Sequence, residues 1–136
     1  MAVQPIPEGY PRVTPYLNIA GAADAIDFYC KVLGATERMR MPGDSPDNIG
    51  HAELEIGTGL VMLADEFPDM GFVSPLSIGG TPVTIHVYVD DVDAVYARAL
   101  ADGYEIVHPL TDEEWGVRRF FVRTPQGVVV NVLAHA

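Results

Sequence analysis

The sequence predicts an α+β fold made of two successive βαβββ modules. Three observations lead there: a strand–helix pattern occurs twice, each helix runs out at a glycine, and each is followed by further strand-like segments parted by turn residues. The chain's 136 residues, 49% of them hydrophobic, suffice for one domain with a shared core. Neither half has enough apolar residues to fold alone.

The first module is expected over residues 12–66. Residues 13–19 (VTPYLNI) alternate as a strand, and AADAIDFYCKVLGA sets Ala23, Ile26, Phe28, Tyr29 and Leu33 at helical spacings before Gly34. An approach segment (TERMRM) and a Pro/Gly/Asp turn (PGDSPDN) lead to strands at 51–56 and 60–64 around a Gly-Thr-Gly turn. Residues 67–81, rich in Pro, Gly and Ser, read as a linker.

The second module, residues 82–135, repeats the plan. Strand 83–89 (VTIHVYV) precedes a helix carrying Val92, Val95, Ala99 and Leu100, with Gly103 as its stop. Then come a segment at 105–108, an acidic loop (LTDEEWG), and strands 118–123 and 128–133 around a Pro-Gln-Gly turn. Leu17-Asn18-Ile19 lies over Val87-Tyr88-Val89 in the repeat, and Gly34 over Gly103.

Composition narrows the function classes. With 8 Lys+Arg against 19 Asp+Glu the formal net charge is −11, which disfavours nucleic acid and anionic membranes. No apolar run approaches the ~20 residues of a membrane span. The N-terminal stretch has three prolines and no apolar h-region, so a cytoplasmic location is expected. Cys30, the single cysteine, rules out an intrachain disulfide or a cysteine-built metal cage, and its place within an apolar helix argues for an inert thiol.

FYCKVLGA in the first helix, DVDAVYARALADG in the second and TPQG at the last hairpin make the chain resemble the vicinal oxygen chelate superfamily, the group of glyoxalase I, bleomycin-resistance proteins and extradiol dioxygenases. PYLNIAGAADAIDFYCKVLGA, IGHAELEIGTGLVMLADE and VTIHVYVDDVDA resemble its small bacterial glyoxalase-like branch. The resemblance implies two curled sheets around a cavity, a homodimer, and either metal enzymes or metal-free binding proteins. In the metal-dependent members one ligand comes from the first and one from the last strand of each module. Those positions correspond to Thr14 and Thr84, to Leu63 (or Met62 with the register shifted by one), and to Asn131. None is a good divalent-metal ligand, so no cofactor is expected. Close relatives carry Gly-Asp-Arg after the loop aromatic and Asp-Pro-Phe-Gly-His before the last strand, where this chain has Gly116-Val117-Arg118 and Thr124-Pro125-Gln126-Gly127-Val128.

Strand parity then gives the cavity lining. Tyr16 and Asn18 on the first strand share a face with His51 and Glu53 on the third, and Thr84, His86 and Tyr88 line the second module with Asn131. Two readings of the polar members stay open. His51, Glu53 and His86 serve as acid–base residues, or they converge as a displaced two-His, one-carboxylate metal site. Trp115 is a candidate for stacking at the mouth, and Arg118, sharing parity with Phe120 and Val122, for binding a ligand oxygen. The expected function is metal-independent binding of a small aromatic or amphipathic molecule. The alternatives are an isomerase, lyase or cyclase, and a metal-dependent glyoxalase-type enzyme.

Overall fold

Residues 3–136 are described by a computed structural model. The first module comprises β1 (Tyr16–Ile19), α1 (Ala22–Leu33), β2 (Thr36–Pro42), β3 (Ile49–Ile56) and β4 (Gly59–Asp65). A 3-10 turn (Pro68–Met70) and a short helix α2 (Pro75–Ile78) lead to β5 (Thr84–Tyr88), α3 (Val92–Ala101), β6 (Glu105–Asp112), β7 (Val117–Arg123) and β8 (Val129–His135). Each module forms a four-stranded mixed sheet, in the orders β1-β4-β3-β2 and β5-β8-β7-β6. The pairs β1–β4 and β5–β8 are parallel and the remaining pairs antiparallel. This is the α+β architecture read from the repeat.

Alternation sorts the side chains. In the first sheet Ile19, Ala52, Leu54 and Leu63 pack in the core with Ile26, Phe28, Tyr29 and Val32 of α1. Tyr16, His51, Glu53 and Met62 therefore occupy the opposite face, where Met62 pairs with both Tyr16 and Glu53. The second sheet repeats this: Ile85, Val87, Phe120, Val122, Val130 and Val132 pack inward with Val92, Val95 and Ala99 of α3.

A single core runs through both modules. The fully buried ring of Phe28 meets Tyr104 edge-on at 4.7 Å, and the Arg98 guanidinium donates to the Val32 carbonyl at 3.0 and 3.2 Å. The start of α1 is held from a distance. Its N-cap residue Gly21 has no side chain, and the Asp65 carboxylate accepts instead from the Gly21 and Ala22 N–H groups at 3.0 Å and from the Ile49 N–H at 2.8 Å. Gly34 ends α1 at φ +70°, the left-handed conformation expected of a helix stop. Gly127 combines φ +87° with a close approach, since a Cβ there would stand 3.1 Å from that of Pro75.

Beyond shifts of one or two residues at strand ends, four features differ from the sequence reading. β1 starts at Tyr16, because Pro15 supplies only its carbonyl to the ladder, accepting from the Met62 N–H at 3.0 Å. The approach segment is a full strand, β2, and the first residues of the acidic loop extend β6 to Asp112. The linker contains α2, begun by Ser74, whose side chain accepts from the Ser77 N–H, with Pro75 in the first turn and Gly79 as its stop. Among the described residues no helix is long and apolar enough to cross a membrane.

Candidate functional site

The first sheet's open face carries a chain of hydrogen bonds. Tyr16 and His51 lie on β1 and β3, either side of β4, and their rings stack with centroids 5.5 Å apart. The Tyr16 hydroxyl is 2.9 Å from His51 Nδ1, and His51 Nε2 is 2.8 Å from Glu53 Oε2. Glu53 is 4% exposed, and its other oxygen accepts from the Tyr10 hydroxyl at 2.8 Å. Arg38 completes the surroundings: it lies 3.9 Å from Glu53, sits over the Tyr10 ring at 4.9 Å and donates to Glu55 and the Gly9 carbonyl.

The charges follow from this geometry. Burial pushes the Glu53 carboxyl upward, but the hydrogen bonds from His51 and Tyr10 and the nearby positive charges outweigh it and hold it below the usual carboxylate range. In the neutral imidazole, an ionised Glu53 draws the His51 proton to Nε2, and the Nδ1 lone pair is then the acceptor for Tyr16. Burial, aided by the Glu53 charge, raises the Tyr16 phenol, which stays protonated as a donor. Burial and the Glu37 and Asp27 charges likewise raise the Cys30 thiol.

Tyr16 also lines a cavity of about 500 Å³ at the end of this face. Asn18, Ile49, Ala64 and Asp65 form its floor, the turn with Gly43, Asp44 and Asn48 one side, and Phe67, Met70 and Phe72 from the linker a roof. Phe67 and Phe72 exchange backbone hydrogen bonds at 2.7 and 3.2 Å, which closes the roof into a tight loop.

The predicted residues fall into two groups. Tyr16, Asn18, His51 and Glu53 gather on the first sheet. Thr84, His86 and Tyr88 stand exposed on β5, with Tyr88 64% exposed and edge-on to His135. Asn131, buried beneath them, lies opposite His86 in the register with its Nδ2 3.4 Å from His86 Nε2, while its Oδ1 has no partner. Convergence of His51, Glu53 and His86 does not occur: among the described residues no three His, Cys, Asp or Glu side chains are placed to hold a metal ion. The histidines sit on separate sheets, so parity within a strand could not bring them together.

Arg118 is a further correction. Sharing parity with the core residues Phe120 and Val122 turns it to the helix side, where it pairs with Asp93 of α3 at 2.9 Å and Asp112 at 3.0 Å. Arg119 takes the open face instead, 5.0 Å from the Trp115 ring and 4.9 Å from that of Phe121, with Glu113 at 3.4 Å. Buried alternate positions Phe120 and Val122 were the signal that pointed to Arg119. Trp115, 64% exposed, is held by this stack.

The divalent metal implied by the family resemblance does not fit the residues present. Pairing of Tyr16 with Met62 puts Met62, not the fully buried Leu63, on the open face. The set is then Thr14, Met62, Thr84 and Asn131, which offers no imidazole, carboxylate or thiolate. Tyr10, Arg38 and the linker aromatics were missed by the sequence reading. Tyr10 and the linker aromatics lie in segments without periodicity, Arg38 lies in β2, read from the sequence only as an approach segment, and only the fold brings them to the site.

Comparison with known proteins places this geometry. A sequence model described as Glyoxalase/Bleomycin resistance protein/Dioxygenase superfamily matches residues 12–132. An uncharacterized protein of Mycobacterium tuberculosis is 46% identical over 121 residues, 86% of this chain and 70% of that protein. Among solved structures, TioX from Micromonospora sp. ML1 is 29% identical with a TM-score of 0.71, over 93% of this chain and 97% of its own. A protein from Pseudomonas aeruginosa is 28% identical with a TM-score of 0.72, over 93% and 98%.

Proposed function

Since the chain belongs to the Glyoxalase/Bleomycin resistance protein/Dioxygenase superfamily, we propose that it binds a small aromatic or amphipathic organic molecule in the cavity beside Tyr16, without a metal cofactor. One observation carries the reading: Tyr16 belongs both to the cavity wall and to the Tyr16–His51–Glu53 chain. A concave, mainly apolar space with a few oriented polar groups is the general form of a small-molecule site. Metal independence is supported by the chemistry of Thr14, Met62, Thr84 and Asn131. The exposed second face, with Thr84, His86 and Tyr88, supports a homodimer in which that face is covered.

The hydrogen-bonded chain favours a second reading, an isomerase, lyase or cyclase. His51, its Nε2–H held by Glu53, has its basic Nδ1 toward Tyr16; once the Tyr16 hydroxyl turns from Nδ1 to donate its one proton to a ligand oxygen, Nδ1 is free to take a proton from the ligand. A screen of small aromatic compounds by thermal shift tests the first reading, because a bound ligand raises stability by mass action. Incubating each hit with the protein, and with its His51→Ala variant, separates the two. Under binding alone the hit is recovered unchanged and the variant only shifts affinity. Under the second reading product accumulates and the variant abolishes it.

A further inference from the structure

We infer that the cavity beneath the linker takes an organic cation, a protonated or quaternary amine on an apolar or aromatic body. The inference rests on the binding reading above and names the ligand class.

The lining carries carboxylates from Asp44, Asp65 and Glu66, and no Lys, Arg or His. An anionic ligand would meet repulsion with nothing to offset it. The carboxylates differ in what they are free to do. Asp65 is engaged by three backbone N–H groups, and Glu66 accepts from the Ser74 N–H and the Ser77 hydroxyl. Asp44, exposed in the turn between β2 and β3, makes no ion pair among the described residues. It is the carboxylate left to meet a cation.

The roof supplies the second half of the recognition. Phe67 is 39% exposed, Phe72 47% and Met70 66%, although each lines a concave space. With Tyr16 they give aromatic faces and a polarizable sulfur around an acidic rim, the surroundings that favour an alkylammonium group over a neutral isostere. The paired backbones of Phe67 and Phe72 hold the roof in place before a ligand arrives. The chain's net charge of −11 adds long-range attraction of the same sign.

The test uses an isosteric series on the full chain: the meta-hydroxyphenyl trimethylammonium cation, neutral meta-tert-butylphenol and meta-hydroxybenzenesulfonate. Affinities are read by calorimetry, and the site by amide shifts of Phe67, Phe72 and Asp44. The cation is expected to bind about tenfold more tightly than the neutral compound, as a partly desolvated cation–π site would give. Its affinity should fall with added salt and in Asp44→Asn, while Phe72→Leu should narrow its advantage over the isostere. Equal or tighter binding of the neutral compound or the sulfonate, with shifts at the same amides, overturns the cation inference and leaves the binding reading standing. Failure of all three probes to move those amides overturns both.

Discussion

The Tyr10 hydroxyl donates to the Glu53 carboxylate at 2.8 Å, so a residue of the N-terminal arm closes over a buried acid of the first sheet. The arm is thereby part of the candidate site: it seals Glu53 on the side away from His51 and leaves the imidazole edge toward Tyr16.

Tyr10→Phe removes that donor and leaves a buried charge one partner short. Loss of a hydrogen bond to a charged group costs about 1.5–3 kcal/mol. The expected outcome is a lower urea midpoint at neutral pH and an upward move of the Glu53 titration, followed by carboxyl NMR shifts. An unchanged titration would show that Arg38 and His51 alone hold the charge.

Acid stability should report the same group. The Glu53 carboxyl is lowered in the folded protein, so the unfolded chain takes up its proton first as pH falls. Its stabilisation is complete above the unfolded value of about 4.3 and is lost as pH drops through the folded one. Glu53→Gln should flatten the fall in unfolding free energy below about pH 4.5. Parallel curves for the two proteins would assign the acid lability to other carboxylates.

Arg118 and Arg119 are neighbours with different tasks. Arg118→Ala breaks exposed pairs to Asp93 and Asp112, and should leave tryptophan fluorescence unchanged. Arg119→Ala removes the cation from the Trp115 ring, and should shift the emission and lower its anisotropy. The signal is unambiguous, because Trp115 is the single tryptophan.

Asp65→Ala removes the acceptor of three backbone N–H groups at the start of α1 and β3. The loss is expected to be about 1–3 kcal/mol in chemical denaturation. A drop confined to a few tenths would mean that water replaces the carboxylate at no cost.

Much of the architecture was legible because two periodicities recur. The apolar residues Ile26, Phe28, Tyr29 and Leu33 repeat at helical spacing, and the alternation of His51-Ala52-Glu53-Leu54 sets polar and apolar faces apart. The same alternation placed Tyr16, Asn18, His51 and Glu53 on one face, and the structure joins Tyr16, His51 and Glu53 by hydrogen bonds. On β7 the alternation carries the answer against the expectation for Arg118: sharing parity with the core residues Phe120 and Val122 turns Arg118 toward α3 and leaves the open face to Arg119. Alternation could not place Tyr10, Phe67 or Phe72, whose positions depend on single tertiary contacts and not on a repeating pattern. The gap between His51 and His86 has a similar cause: parity orders residues within one sheet and says nothing of the distance between two.

Asp65 has one further consequence. The carboxylate that lines the cavity floor is the one that caps α1, so a change there that reshapes the pocket also loosens the fold. Phe67, Met70 and Phe72 carry no such double duty, lying outside the buried core. Adaptation to a new ligand is therefore cheapest through the roof, and a library randomised at those positions should keep far more folded members than one randomised at the floor.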